Sequence, residues 1–178
     1  CDSWPDLFFT QGGYSPGELP PNTTYSDKLF RNLNGVRASD VTAVAGITEF
    51  GYGQGCTVGD FDCDGLPDLM IANIGKNRIF QNCGDGTFLD VTDQAGIASD
   101  AWTSSCALAD LNSDSWPDLY EVRYVNADDL FVRQCHATDQ VPRPCPPKEF
   151  AAAADVVWLN SGDGRFVAAS DTGTDSDT

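Results

Sequence analysis

Asp60-Phe-Asp62-Cys-Asp64-Gly-Leu-Pro-Asp68 and Asp110-Leu-Asn112-Ser-Asp114-Ser-Trp-Pro-Asp118 are one nine-residue loop written twice, 50 positions apart. Each copy sets oxygen-bearing side chains at loop positions 1, 3, 5 and 9, and Leu follows each. A truncated copy, Asp2-Ser-Trp4-Pro-Asp6-Leu7, opens the chain. Hard oxygen donors crowded at alternate positions of a short loop are what Ca²⁺ requires. Carboxylates packed this closely repel one another unless a cation lies between them. The loops therefore predict Ca²⁺, at two complete sites and one partial site.

The repeat extends beyond the loop. Asp40-Val-Thr-Ala-Val-Ala45-Gly46-Ile47 lies over Asp90-Val-Thr-Asp-Gln-Ala95-Gly96-Ile97, and Asp27-Lys-Leu-Phe-Arg-Asn32 over Asn77-Arg-Ile-Phe-Gln-Asn82. A third register, Asp155-Val-Val-Trp-Leu-Asn160, runs into Gly162-Asp163-Gly164 as Asn82 runs into Gly84-Asp85-Gly86. A fixed period of this size indicates stacked or radial units. Each unit reads as four short strands, bounded by Gly, Asn and Asp and with Asp-Gly hairpin turns. The first strand is small and apolar (Cys56-Thr-Val-Gly59, Cys106-Ala-Leu-Ala109), as suits blades crowding an axis. The predicted fold class is all-β, a partial β-propeller of about three four-stranded antiparallel blades. No segment shows a sustained helical period.

The expected organisation is a first blade without its inner strand, plus linker, over 1–54 and a second blade over 55–104. A third blade over 105–170 carries a long insertion at 120–154, and 171–178 is an acidic Ser/Thr tail. Extra segments in the first and third units fall between the second and third strands, so both should emerge on the face opposite the acidic loops. Such insertions are either binding elements or inert decoration. Because propellers close with more blades than this, we expect a piece of a longer protein or a subunit that closes with a neighbouring chain.

A formal charge of −17 argues against a nucleic-acid partner. No stretch is long and apolar enough to span a membrane. Seven cysteines beside acidic loops point to an oxidising compartment, hence a secreted or cell-surface protein. Cys135 and Cys145 flank a Pro-rich stretch and are the first candidates for a bridge. Cys63 and Cys83 belong on one face of one blade and are the second. Cys56 and Cys106 sit at equivalent places on neighbouring inner strands, as a bridge or as buried thiols. Cys1 is left over, for a partner elsewhere or for lipidation. Asn22-Thr-Thr24 fits the N-glycosylation pattern.

Asp-x-Asp-x-Asp-Gly-x-x-Asp-Leu, followed by Asn-x-Gly-Asp-Gly-Thr-Phe-x-Asp-Val-Thr-x-x-Ala-Gly-Ile, resembles the FG-GAP/VCBS repeat. It is most similar to the form found in the cartilage acidic protein family and its bacterial relatives. The resemblance implies integrin-α-like propeller blades with Ca²⁺ in the loop joining the first two strands. It implies side-chain ligands Asp60, Asp62, Asp64 and Asp68 with the Leu66 carbonyl. Asp110, Asn112, Asp114 and Asp118 repeat the set with the Trp116 carbonyl. In the first unit Asp2, Asp6 and the Trp4 carbonyl remain. Ser115 replaces the loop Gly, and Asn112 removes one negative charge, which should weaken that site.

An EF-hand fits poorly, since Ile71 stands at position 12 after Asp60 and the flanks are strand-like. Enzyme activity has little support: no serine or cysteine nucleophile has a recognisable base, and the single histidine, His136, reads as a surface residue of the Cys135–Cys145 loop. The expected role is non-catalytic binding, adhesion or cell-surface assembly, through a protein or glycan ligand on the insertion face. Alternatives are a filament subunit that self-associates through exposed blade edges, and the non-catalytic arm of a secreted enzyme.

Overall fold

The computed structural model describes residues 4–12, 25–126, 133–136 and 141–169. Among the described residues, three larger antiparallel sheets follow one another along the chain. The first has three strands, β1 (Leu7–Phe9), β2 (Lys28–Leu33) and β3 (Arg37–Asp40). The second has four in order, β4 (Tyr52–Gly59), β5 (Asp68–Ile74), β6 (Arg78–Asn82) and β7 (Phe88–Asp90). The third is built from β8 (Thr103–Ala109), β9 (Asp118–Arg123), β14 (Val156–Asn160) and β15 (Phe166–Ala168). These are blades of the propeller type, and among the described residues the first has three strands.

The period shows in the irregularities as well. Register shifts fall between Gly53 and Gly55 in β4 and between Thr103 and Ser105 in β8, one repeat apart. A Cβ on Gly55 would stand 3.2 Å from the Ser104 carbonyl oxygen, and one on Gly59 would stand 3.0 Å from Leu108. Small residues on the inner strands thus let neighbouring blades approach backbone to backbone.

The apolar core lies between blades. Ala45, Ile47, Leu69, Ile71 and Phe80 fill the joint of the first and second, with Phe8, Leu29 and Phe88 packed against them. Phe61, Met70, Ile79, Val91 and Ile97 meet Leu119, Trp158 and Phe166 at the next joint. Neighbour-to-neighbour burial is how repeat architectures are stabilised.

A short α-helix departs from the all-strand expectation: α1 (Thr92–Ala95), closed by Gly96 at φ 77°. Asp90 drives it, because its Oδ1 accepts from both the N–H and the Oγ1–H of Thr92 at 3.0 and 2.5 Å. A side chain that bonds the backbone two residues on makes a tight turn, which no periodicity reveals.

The insertion leaves β9 at the end opposite its acidic loop. It carries β10 (Val125–Asn126), β11 (Gln134–His136), β12 (Pro142–Pro144) and β13 (Ala151–Ala152), with β10 pairing β13 and β11 pairing β12. Cys135 and Cys145 are disulfide-bonded, with Cα atoms 4.9 Å apart, and His136 is exposed on the same ribbon.

The Cys63–Cys83 pairing is corrected, and of the two readings of Cys56 and Cys106 the free thiols stand, although Cys56 is exposed. Cys63 and Cys83 are free and exposed. The Cys83 sulfur turns back toward the Gln81 carbonyl, while Gln81 reaches past it to bond Asp62 at 2.5 Å. Cys56 and Cys106 are also free, the first exposed and the second buried. The Thr57 N–H, not the Cys56 sulfur, is the hydrogen-bond partner of Cys106, whose thiol burial pushes up to about 12. Cys1 and the Asn22 sequon lie outside the described residues.

Candidate metal centre

The loop between β4 and β5 folds around its own carboxylates. Asp60 Oδ1 accepts the Asp64 N–H at 3.0 Å, and its Oδ2 accepts the Gly65 N–H at 2.9 Å. Asp62 Oδ1 accepts from Asp64 at 3.2 Å, and Asp64 Oδ1 accepts from Leu66 at 2.8 Å. Each short acidic side chain bends the backbone just ahead of it, which is why alternate positions are acidic. Cys63 is held at φ 56° and Gly65 at φ 88°.

Asp68, at position 9, anchors the loop to the blade. Its Oδ2 accepts the Phe61 N–H at 3.0 Å and its Oδ1 the Asn82 N–H at 2.8 Å. The same side chain recurs as Asp118, accepting from Leu111 and Asn160, both at 2.9 Å. Asp6 accepts from Asn32 at 2.7 Å.

Asp60, Asp62 and Asp68 each offer a carboxylate oxygen within 4.8 Å of the others. Burial pushes the Asp68 carboxyl up to about 6; the Asn82 and Phe61 N–H groups pull it down, and the charges of Asp62 and Asp64 raise it further. Three negative groups converge here around an all-oxygen donor set, the chemistry that suits a hard divalent cation. The residues fit the ion.

The second loop repeats the backbone but not the charge. Asp110 accepts from Ser113, Asp114 and Ser115 at 2.7, 3.2 and 3.0 Å, and Asp114 from Trp116 at 2.8 Å. At position 3 the Asn112 amide donates to Asp114 Oδ2 at 2.9 Å, so the side chains at positions 3 and 5 satisfy each other here. Ser115 adopts φ 77° without glycine's freedom. In the first unit Asp6 and Trp4 are placed, and Asp2 lies outside the described residues.

Two features were missed from sequence. The position-7 side chain packs on the hairpin glycine of its own blade: a Cβ on Gly35 would come within 2.5 Å of the Trp4 ring, and one on Gly162 within 2.9 Å of Trp116. The other feature is a buried polar seam between blades. Asp27 and Asn77, buried at the heads of β2 and β6, accept the N–H groups of Gln11 and Asn73 at 2.7 and 2.8 Å, and Asp155, exposed at the head of β14, repeats the bond to Arg123 at 2.8 Å. The Asn77 amide also donates to Thr103 Oγ1 at 3.0 Å and to buried Glu121 at 2.8 Å. Glu49 accepts the Gly51 N–H and pairs with Arg78 Nε at 3.0 Å.

A family model described as an FG-GAP-like repeat matches residues 60–121, from the first ligand candidate of the middle loop into β9. Repeats of this kind are β-propeller blades that occur in extracellular proteins and are generally non-catalytic. No curated protein matches the chain. Among the described residues, no helix is long and apolar enough to cross a membrane.

Proposed function

We propose that the chain is a calcium-stabilised propeller module of a secreted or cell-surface protein, close to the cartilage acidic protein form of the repeat, acting by adhesion or assembly and not by catalysis. The convergence of Asp60, Asp62 and Asp68 carries this reading. Asp60, Asp62, Asp64 and Asp68 would hold Ca²⁺ with the Leu66 carbonyl. Asp110, Asn112, Asp114 and Asp118 with the Trp116 carbonyl form a second, weaker site, and Asp2, Asp6 and Trp4 a partial third. The ion supplies positive charge where the loop concentrates negative charge. Metal binding therefore couples to folding.

The partner reading is a protein or glycan on the face that carries the bridged Cys135–Cys145 ribbon, a built projection opposite the acidic loops. Self-assembly is the second reading, favoured by β1, which among the described residues pairs with β2 alone and so offers an edge for strand addition.

Melting curves of wild type and Asp62→Ala, each in calcium and in EGTA, test the metal reading. Removing one of the converging charges should raise the melting temperature in EGTA while shrinking the gain from calcium. Equal calcium gains in both proteins would remove the loop from the account.

A further inference from the structure

The acidic loops of the second and third blades share their backbone bonding and part at one place. In each, the position-1 carboxylate accepts the N–H groups of positions 5 and 6, at 3.0 and 2.9 Å from Asp60 and at 3.2 and 3.0 Å from Asp110. In each, Oδ1 of position 3 accepts the position-5 N–H, at 3.2 Å for Asp62 and 3.0 Å for Asn112. Position 9 is tied to the third strand in both, Asp68 by the Asn82 N–H at 2.8 Å and Asp118 by the Asn160 N–H at 2.9 Å. The difference lies at the outer atom of position 3.

In the second blade the amide of Gln81 donates to Asp62 Oδ2 at 2.5 Å. Gln81 directly precedes Asn82 on β6, so consecutive residues of one strand hold positions 3 and 9, the first by its side chain and the second by its backbone. In the third blade Leu159 stands in the place of Gln81, directly before Asn160 on β14. An alkyl side chain donates nothing, and there the Asn112 amide closes on Asp114 Oδ2 at 2.9 Å.

We propose that Gln81 is a positioning residue of the metal loop: by holding the Asp62 carboxylate it sets how tightly the second blade takes Ca²⁺. The inference rests on the calcium reading above. A neutral amide suits the task, because it fixes the carboxylate's rotamer without cancelling the charge meant for the ion. A carboxylate oxygen that accepts one bond keeps a second lone pair. A carboxylate free to rotate has to be ordered when the ion binds, at an added entropic cost. Partners that orient metal ligands typically carry about 10- to 100-fold in affinity. Leu159 thus weakens the third blade's loop for a reason beyond the charge lost at Asn112.

Calorimetric titration of calcium into the full chain tests this, with Asp110→Asn present so that only the second blade's site is read. Gln81→Leu should weaken that site at least about tenfold. The converse exchange is read in the third blade, with Asp60→Asn present. There Leu159→Gln combined with Asn112→Asp should bind about tenfold tighter than Asn112→Asp alone. A merely structural role for Gln81 would not transfer such a gain, and this comparison decides alone if Gln81→Leu does not fold. A folded Gln81→Leu chain that binds as tightly as its parent, or a Leu159→Gln exchange that adds nothing, overturns the proposal and leaves the calcium reading intact. Absence of saturable heat from the wild type overturns both.

Discussion

The side-chain amide of Asn160 donates to the backbone carbonyl of Phe61, 2.7 Å away and 99 residues earlier in the chain. This one bond ties the acidic loop of the second blade to the outer half of the third. The loop proposed to bind metal is therefore also the knob that fastens two blades. Loosening either should loosen both.

Phe61→Ala should accordingly cost about 3 kcal/mol or more, the usual loss for a buried aromatic cut to Ala. Urea denaturation measures it directly. A loss below about 1 kcal/mol would mean that the joint contributes little.

Asp27 predicts a pH dependence. Burial pushes its carboxyl up to about 7; the Gln11 N–H pulls the other way, and the Glu49 charge pushes up again. Among the described residues its Oδ2 has no partner: Gly53 and Ile71 stand where the equivalent Asn77 meets Thr103 and Glu121. A group whose folded pKa is raised stabilises fully below its ordinary value, here 3.8, and that contribution is lost as pH rises through about 7. Asp27→Asn should flatten the fall in denaturation midpoint between about pH 4 and about pH 7. An unchanged slope would place the titration elsewhere.

Ser115 sits at φ 77° where the first complete loop has Gly65 at φ 88°. Left-handed backbone costs a non-glycine residue about 1 kcal/mol. Ser115→Gly should recover most of that, a rise of about 3 °C in Tm by calorimetry. A fall would show that the hydroxyl contributes more than the backbone strain costs.

Much of this was legible because it repeats. The nine-residue loops, the Gly-Asp-Gly turns and the small inner-strand residues are local, so their spacing alone located three sheets. The Cys135–Cys145 bridge was also readable, since both partners flank one Pro-rich excursion. The failures are non-local or concern direction. Cys63 and Cys83 share a face, but a shared face does not aim two sulfurs at each other. Asn112 was read as a lost charge; that its amide would donate to Asp114 depended on a rotamer. The seam of Asp27, Glu49, Asn77 and Glu121 spans residues from different blades, and nothing in any one repeat marks them as neighbours.

Calorimetric titration of calcium into the metal-free full chain tests the central claim most directly. The account predicts saturable heat from a tighter site that Asp60→Asn removes and a weaker one that Asp110→Asn removes. No binding heat in the wild type, or heat that survives both substitutions together, would contradict it.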